Sequence, residues 1–205
     1  MIRPNQTGFT LVELLLALAL FGFVLVFAVS GFVQVNRSYN KGITVKRVQE
    51  TGRAVIEDIA RSLRLAGDPG SVRVCDVDDQ QGCSGNFRLC LPGVRYGWSD
   101  GSTGEEFTSA GDIKKNWLVR SDTASGCNSA FSQAEAESFL EDDLIVQELN
   151  ITWLIGTSAY KIDLTLSTGD TTLITNSGKR CKGAAQVSGS QYCDVVNLST
   201  TVTIR

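Results

Sequence analysis

From Gly8 to Val33 the chain reads GFTLVELLLALALFGFVLVFAVSGFV, an almost unbroken apolar run with one charge, Glu13. A run of about 25 such residues is long enough to cross a hydrocarbon core roughly 30 Å thick as a helix. A carboxylate inside it costs about 2.5–3.5 kcal/mol at mid-membrane and less near the edge. The pattern then changes period. Val45, Val48, Gly52, Val55, Ile59 and Leu63 recur at spacings of three and four, which gives one apolar face. Lys46, Arg47, Glu50, Arg53, Glu57, Asp58, Arg61 and Arg64 fill the other faces, with Glu57 placed favourably before Arg61. Gly67-Asp68-Pro69-Gly70 ends the segment. The pattern predicts one helix from Phe9 to Ala66, about 87 Å long at 1.5 Å per residue. Its first half is an anchor and its second half packs on a head. Gly22, Gly31, Gly42 and Gly52 each lower helix stability by about 1 kcal/mol and are candidate bends.

Beyond Asp68 the period shortens. From Val72 to about Gly126 turn residues punctuate short apolar runs such as Phe87–Leu91 and Trp117–Val119. Ser132 to Glu141 predicts a short helix, with Ser132 as cap and Glu135 closing a capping box. Leu144–Ile155, Tyr160–Leu166, Thr171–Thr175 and Val195–Ile204 read as strands. Tyr160, Ile162, Leu164 and Leu166 alternate with Lys161, Asp163 and Thr165, one face buried and one wet. Gly156-Thr-Ser158 and Ser167–Asp170 supply hairpin turns between the first three of these strands. The architecture implied is α+β, a long N-terminal helix with an antiparallel sheet laid across its apolar face.

Composition narrows the function classes. Net charge over the 205 residues is −3, which disfavours general nucleic-acid binding. The absence of histidine removes the most usual general base and the commonest metal ligand. Six cysteines, Cys75, Cys83, Cys90, Cys127, Cys181 and Cys193, all lie beyond the anchor, as disulfides in an oxidising compartment would. Proximity favours Cys181–Cys193, with Cys75–Cys83 and Cys90–Cys127 as the remainder. No Cys-x-x-Cys spacing supports zinc or redox chemistry.

The order of features at the N-terminus is informative. A short polar leader with one basic residue, Arg3, ends in Gly8; Phe9 follows; Glu13 stands four residues on; the apolar run continues. A secretory signal would place its small-residue cleavage site after the apolar run and would not require Glu13. Gly8-Phe-Thr-Leu-Val-Glu13 closely resembles the processing site of type IV pilins and type II secretion pseudopilins. The resemblance implies a leader at 1–8 and cleavage between Gly8 and Phe9 by a membrane-embedded prepilin peptidase. It further implies N-methylation of Phe9, and Glu13 as the carboxylate that meets the N-terminal amine of a neighbouring subunit during assembly. It divides the remainder into an assembly helix at 9–33, an amphipathic half at 34–66 and a disulfide-bearing head at 67–205. The proline frequent in that family's early anchor is missing, with Ser30 about where it would fall.

Glu50, Gly52, Arg53, Arg61, Leu63, Arg64, Ala66 and Gly67 resemble, more finely, a pattern of W-type minor pilins and J-type minor pseudopilins. That implies a non-enzymatic structural subunit acting in pilus initiation near the tip, or alternatively a subunit of a type II secretion piston. Its partners would be major and minor pilin subunits, the peptidase, the inner-membrane assembly platform and, before assembly, membrane lipid. Its location would be the inner membrane with the head outside, then the extracellular pilus. Arg37, Lys41, Lys46 and Arg47 follow the span, so charge alone would set the opposite orientation. The cysteines and the leader decide for a head outside.

Sites of other chemistry are weaker. There is no Ser/His or Cys/His pair, no phosphate-binding glycine loop and no HExxH, so no catalytic residue is assigned and no cofactor is required. Asp76, Asp78 and Asp79 resemble the start of a calcium loop, but Gln81 stands where the tight-turn glycine belongs. A solvated acidic turn is the better reading. Lys179, Arg180 and Lys182 form one compact basic cluster beside Cys181. As a binding loop it would serve a DNA-uptake or adhesion pilin; as a charged disulfide loop it maintains solubility, which is preferred. Trp98, Trp117 and Trp153 are assigned to the core.

Overall fold

The computed structural model describes residues 10–75, 87–99, 107–109, 112–114, 117–122, 127, 131, 136–140, 143–175, 180–183 and 187–204. The chain divides into two compact units, 1–40 and 41–205. Helix α1, Leu11–Leu65, begins in the first and ends in the second.

In the first unit the described chain is helical from Leu11, and its large apolar side chains are exposed on every side. This is the one helix long and apolar enough to cross a membrane among the described residues. Ser30 satisfies its hydroxyl within the helix by donating to the Val26 carbonyl at 2.7 Å. The helix carries no break at Gly22, Gly31, Gly42 or Gly52.

In the second unit the rest of α1 buries Val48, Gly52, Val55, Ile56, Ile59, Ala60, Ser62 and Leu63. The face read from the sequence is therefore present, widened by Ile56 and Ala60. Gly67, in the left-handed conformation at φ 70°, ends the helix. Asp68 then accepts from the Gly70 N–H at 3.0 Å and opens a 3₁₀ turn at Pro69–Ser71.

Among the described residues ten strands follow: β1 (Arg73–Cys75), β2 (Phe87–Leu91), β3 (Val94–Trp98), β4 (Phe107–Ser109), β5 (Asp112–Lys114), β6 (Leu118–Ser121), β7 (Glu137–Ser138), β8 (Leu144–Leu154), β9 (Ala159–Thr168) and β10 (Val195–Thr203). They form an antiparallel sheet ordered β1-β2-β3-β6-β7, a second ordered β10-β9-β8, and a small β4-β5 pair. One core joins α1 to both larger sheets through Val55, Ile59 and Leu63, with Leu89, Tyr96 and Leu118 from one and Ile162, Leu164 and Leu166 from the other. The arrangement is α+β, as the pattern implied.

Three expectations need correction. The helix read at Ser132–Glu141 is absent from its described part. Glu137–Ser138 is instead a strand paired with β6, and the Phe139 N–H donates to the Leu118 carbonyl at 3.0 Å. An exposed edge on β6 outweighed local helix propensity there. Thr171–Thr175 is not a strand: Thr171–Leu173 is a 3₁₀ turn, fixed because Asp170 accepts from both the N–H and the hydroxyl of Thr172. β10 therefore takes the third place in the sheet beside β9, and Ser167–Asp170 is not a hairpin turn. Trp153 is not a core residue. It is 54% exposed, whereas Trp98 and Trp117 are buried.

Candidate functional site

The first turn of α1 contains Glu13. Thr10 precedes the helix and caps it: its hydroxyl oxygen accepts from the Glu13 N–H at 3.3 Å, and its carbonyl accepts from the Leu14 N–H at 3.2 Å. Glu13 thus occupies the third helical position, within the turn where unsatisfied N–H groups favour negative charge. This position offsets part of the cost of a carboxylate beside lipid. Thr10 escaped the sequence reading, although Thr-x-x-Glu before an apolar run is the signature of a capped helix start. The surrounding surface is apolar on all sides, with Leu11 and Val12 about three-quarters exposed. Such a surface is stable against lipid or against other helices, not in water. Gly8 and Phe9 lie outside the described residues.

Residues 3–29 match a family model described as the prokaryotic N-terminal methylation motif. The chain carries a type IV pilin-like prepilin N-terminus. The matched stretch includes Gly8, Phe9, Glu13 and most of the apolar run. No curated protein and no solved structure matches the chain.

Beyond α1 of this prepilin-like chain the described cysteines are oxidised. Cys90 is bonded to Cys127, and Cys181 to Cys193. Cys75 is also disulfide-bonded, while Cys83 lies outside the described residues. Buried Arg88 donates to the Cys127 carbonyl at 2.8 Å and ties the bridged segment to β2.

A polar cluster crosses the interface between α1 and the first sheet. The Tyr96 hydroxyl donates to Asp58 and lies 2.7 Å from the Ser62 hydroxyl. Arg120 reaches Asp58 at 2.9 Å and Asp122 at 2.7 Å. Burial first, and then the hydrogen bond to Asp58, holds the Tyr96 hydroxyl well above the usual phenol range. This set is fully engaged in fixing the helix to β3 and β6 and offers no free acid or base.

A cleft of about 530 Å³ opens beside Ile43, Arg47, Asp143, Gly169 and Tyr192, with the Arg47–Asp143 ion pair at its wall at 2.5 Å. Of the basic cluster, Arg180 is exposed. Lys182 instead donates its ammonium to the Thr172 carbonyl at 2.7 Å. Lys179 lies outside the described residues, as do Asp76, Asp78 and Asp79. Among the described residues no group of three or more acidic or cysteine side chains is placed to hold a metal.

Proposed function

We propose that this chain is a non-enzymatic structural subunit, a minor pilin that acts in initiating a type IV pilus near its tip. The observation that carries the reading is the prepilin-like N-terminus with Glu13 in the first turn of a helix that is apolar all round. A carboxylate so placed needs a positive partner once the helix leaves the water interface. The amine freed at Phe9 of a neighbouring subunit is the natural one. Gly52 and Gly67 support the minor-pilin assignment, because both glycines of that sequence pattern have structural work here: close packing on the sheet and a left-handed helix end. Disulfides in the head support export to an oxidising side.

Glu13→Ala tests the role. The variant is expected to be stable and processed, yet to enter the filament at no more than about a tenth of the wild-type level. Assembly equal to wild type would sink it. Mass spectrometry of the assembled protein is expected to find Phe9 as an N-methylated terminus, and a residue larger than Ala at position 8 should leave the precursor uncut. Incorporation into a secretion piston in place of a pilus would favour the pseudopilin alternative.

A further inference from the structure

The two larger sheets present four edge strands. Three are blunted. β1 has three residues and carries Arg73, and β7 has two and carries Glu137. β8 is interrupted by a bulge between Val146 and Glu148. Short edges, charges and bulges are the usual devices against strand addition. β10 has none of them: VVNLSTTVT is nine residues with no charge, proline or glycine, and its register with β9 is unbroken.

The direction of its backbone groups follows from two hydrogen bonds that flank the ladder. The Thr168 N–H donates to the Asp194 carbonyl, and the Ile204 N–H donates to the Ser158 carbonyl. Both lie on the register of the β9–β10 pair, so the even-numbered residues of β10 bond to β9. The N–H and C=O groups of Val195, Asn197, Ser199, Thr201 and Thr203 consequently face away from the sheet. Among the described residues these groups have no backbone partner, and the last four residues are exposed.

We infer that β10 is an assembly edge that accepts an extended, uncharged strand from the head of a different subunit. A second copy of this chain fits poorly. Pairing of β10 with a copy's β8 meets the bulge and Glu148. The exposed row of Asn197, Ser199, Thr201 and Thr203 matches a partner strand bearing small polar side chains, with no charge to pair. The choice of partner rests on the pilin reading; the unprotected edge does not.

The test uses the full chain, produced in its native cells and carrying a photo-cross-linking residue at Thr203. Cross-links are expected to map to an uncharged strand in another subunit. Thr201→Pro removes an outward N–H and leaves the β9 ladder intact, so it should cut the yield at least tenfold with the melting temperature unchanged. Thr201→Lys, which keeps the backbone group and adds a charge to the edge, should do the same and decides the matter if the proline variant does not fold. Cross-links only to a second copy, none at all, or full yield in the variants would overturn the inference. The N-terminus is read in the same preparation. Phe9 with no cross-link ends strand addition and leaves the pilin reading standing, whereas a terminus elsewhere ends that reading and the choice of partner with it.

Discussion

Gly52 of α1 lies against Leu198 of β10 so closely that a Cβ at position 52 would fall 2.7 Å from Leu198 Cδ1 and 3.4 Å from Leu166 Cδ1. The contact explains why a poor helix former stands in the buried stripe. Leu198 is only partly buried, and the atom approached is the end of its flexible side chain. Gly52→Ala should therefore be close to neutral, a helix-propensity gain of about 1 kcal/mol being set against the crowding. Gly52→Leu should destabilise by about 2–3 kcal/mol, because the sheet cannot retreat from a full side chain. Thermal unfolding of the two variants in detergent checks the ordering.

The Asp58–Tyr96–Arg120 cluster gives a pH signature. Tyr96 holds its proton more tightly when folded than when unfolded. Its contribution is therefore complete below about pH 10, the unfolded phenol value, and is lost as the pH rises further. Stability should fall above about pH 10, and Tyr96→Phe should flatten that fall while costing about 1–2 kcal/mol at neutral pH. Asp58→Ala should cost more, about 2–3 kcal/mol, since it leaves both the tyrosine hydroxyl and Arg120 short of a partner. Denaturant midpoints measured from pH 7 to 11 separate the variants.

Trp153 and Ile155, at 54% and 91% exposure, stand at the turn between β8 and β9. The indole N–H is already satisfied by the Thr157 carbonyl at 2.7 Å, so the ring sits where it is without core packing. Trp153→Phe should abolish most of the fluorescence that a soluble quencher reaches, since Trp98 and Trp117 are buried. Ile155→Ser should change stability by less than about 0.5 kcal/mol.

If the proposed pilin role holds, neutralising Lys179, Arg180 and Lys182 together should leave pilus number unchanged. Lys182 is engaged with Thr172, and the chain as a whole is acidic. Three phosphate contacts would give a slope of only about −3 in log affinity against log salt. No duplex DNA binding is expected at physiological salt. Micromolar, salt-sensitive binding lost in the triple variant would make this loop a receptor site.

The sequence by itself determined whatever depends on local periodicity. The apolar run, the switch to a three-and-four spacing after Val45, and the glycine-proline stop all fix α1, since a helix repeats every 3.6 residues wherever it packs. The alternation at Tyr160–Leu166 fixed β9, and the order of leader, junction, Glu13 and apolar run pointed to the prepilin-like terminus. Tertiary structure alone decided the partners. Glu137–Ser138 became a strand because β6 offered it a ladder, and Thr171–Leu173 a turn because Asp170 caps it. The five-stranded sheet is made of runs of two to five residues, too short to carry a period, and it was invisible before its strands were seen side by side. The open edge of β10 belongs to the same class. Which backbone groups remain unpaired depends on what lies beside a strand, and no spacing along the chain records that.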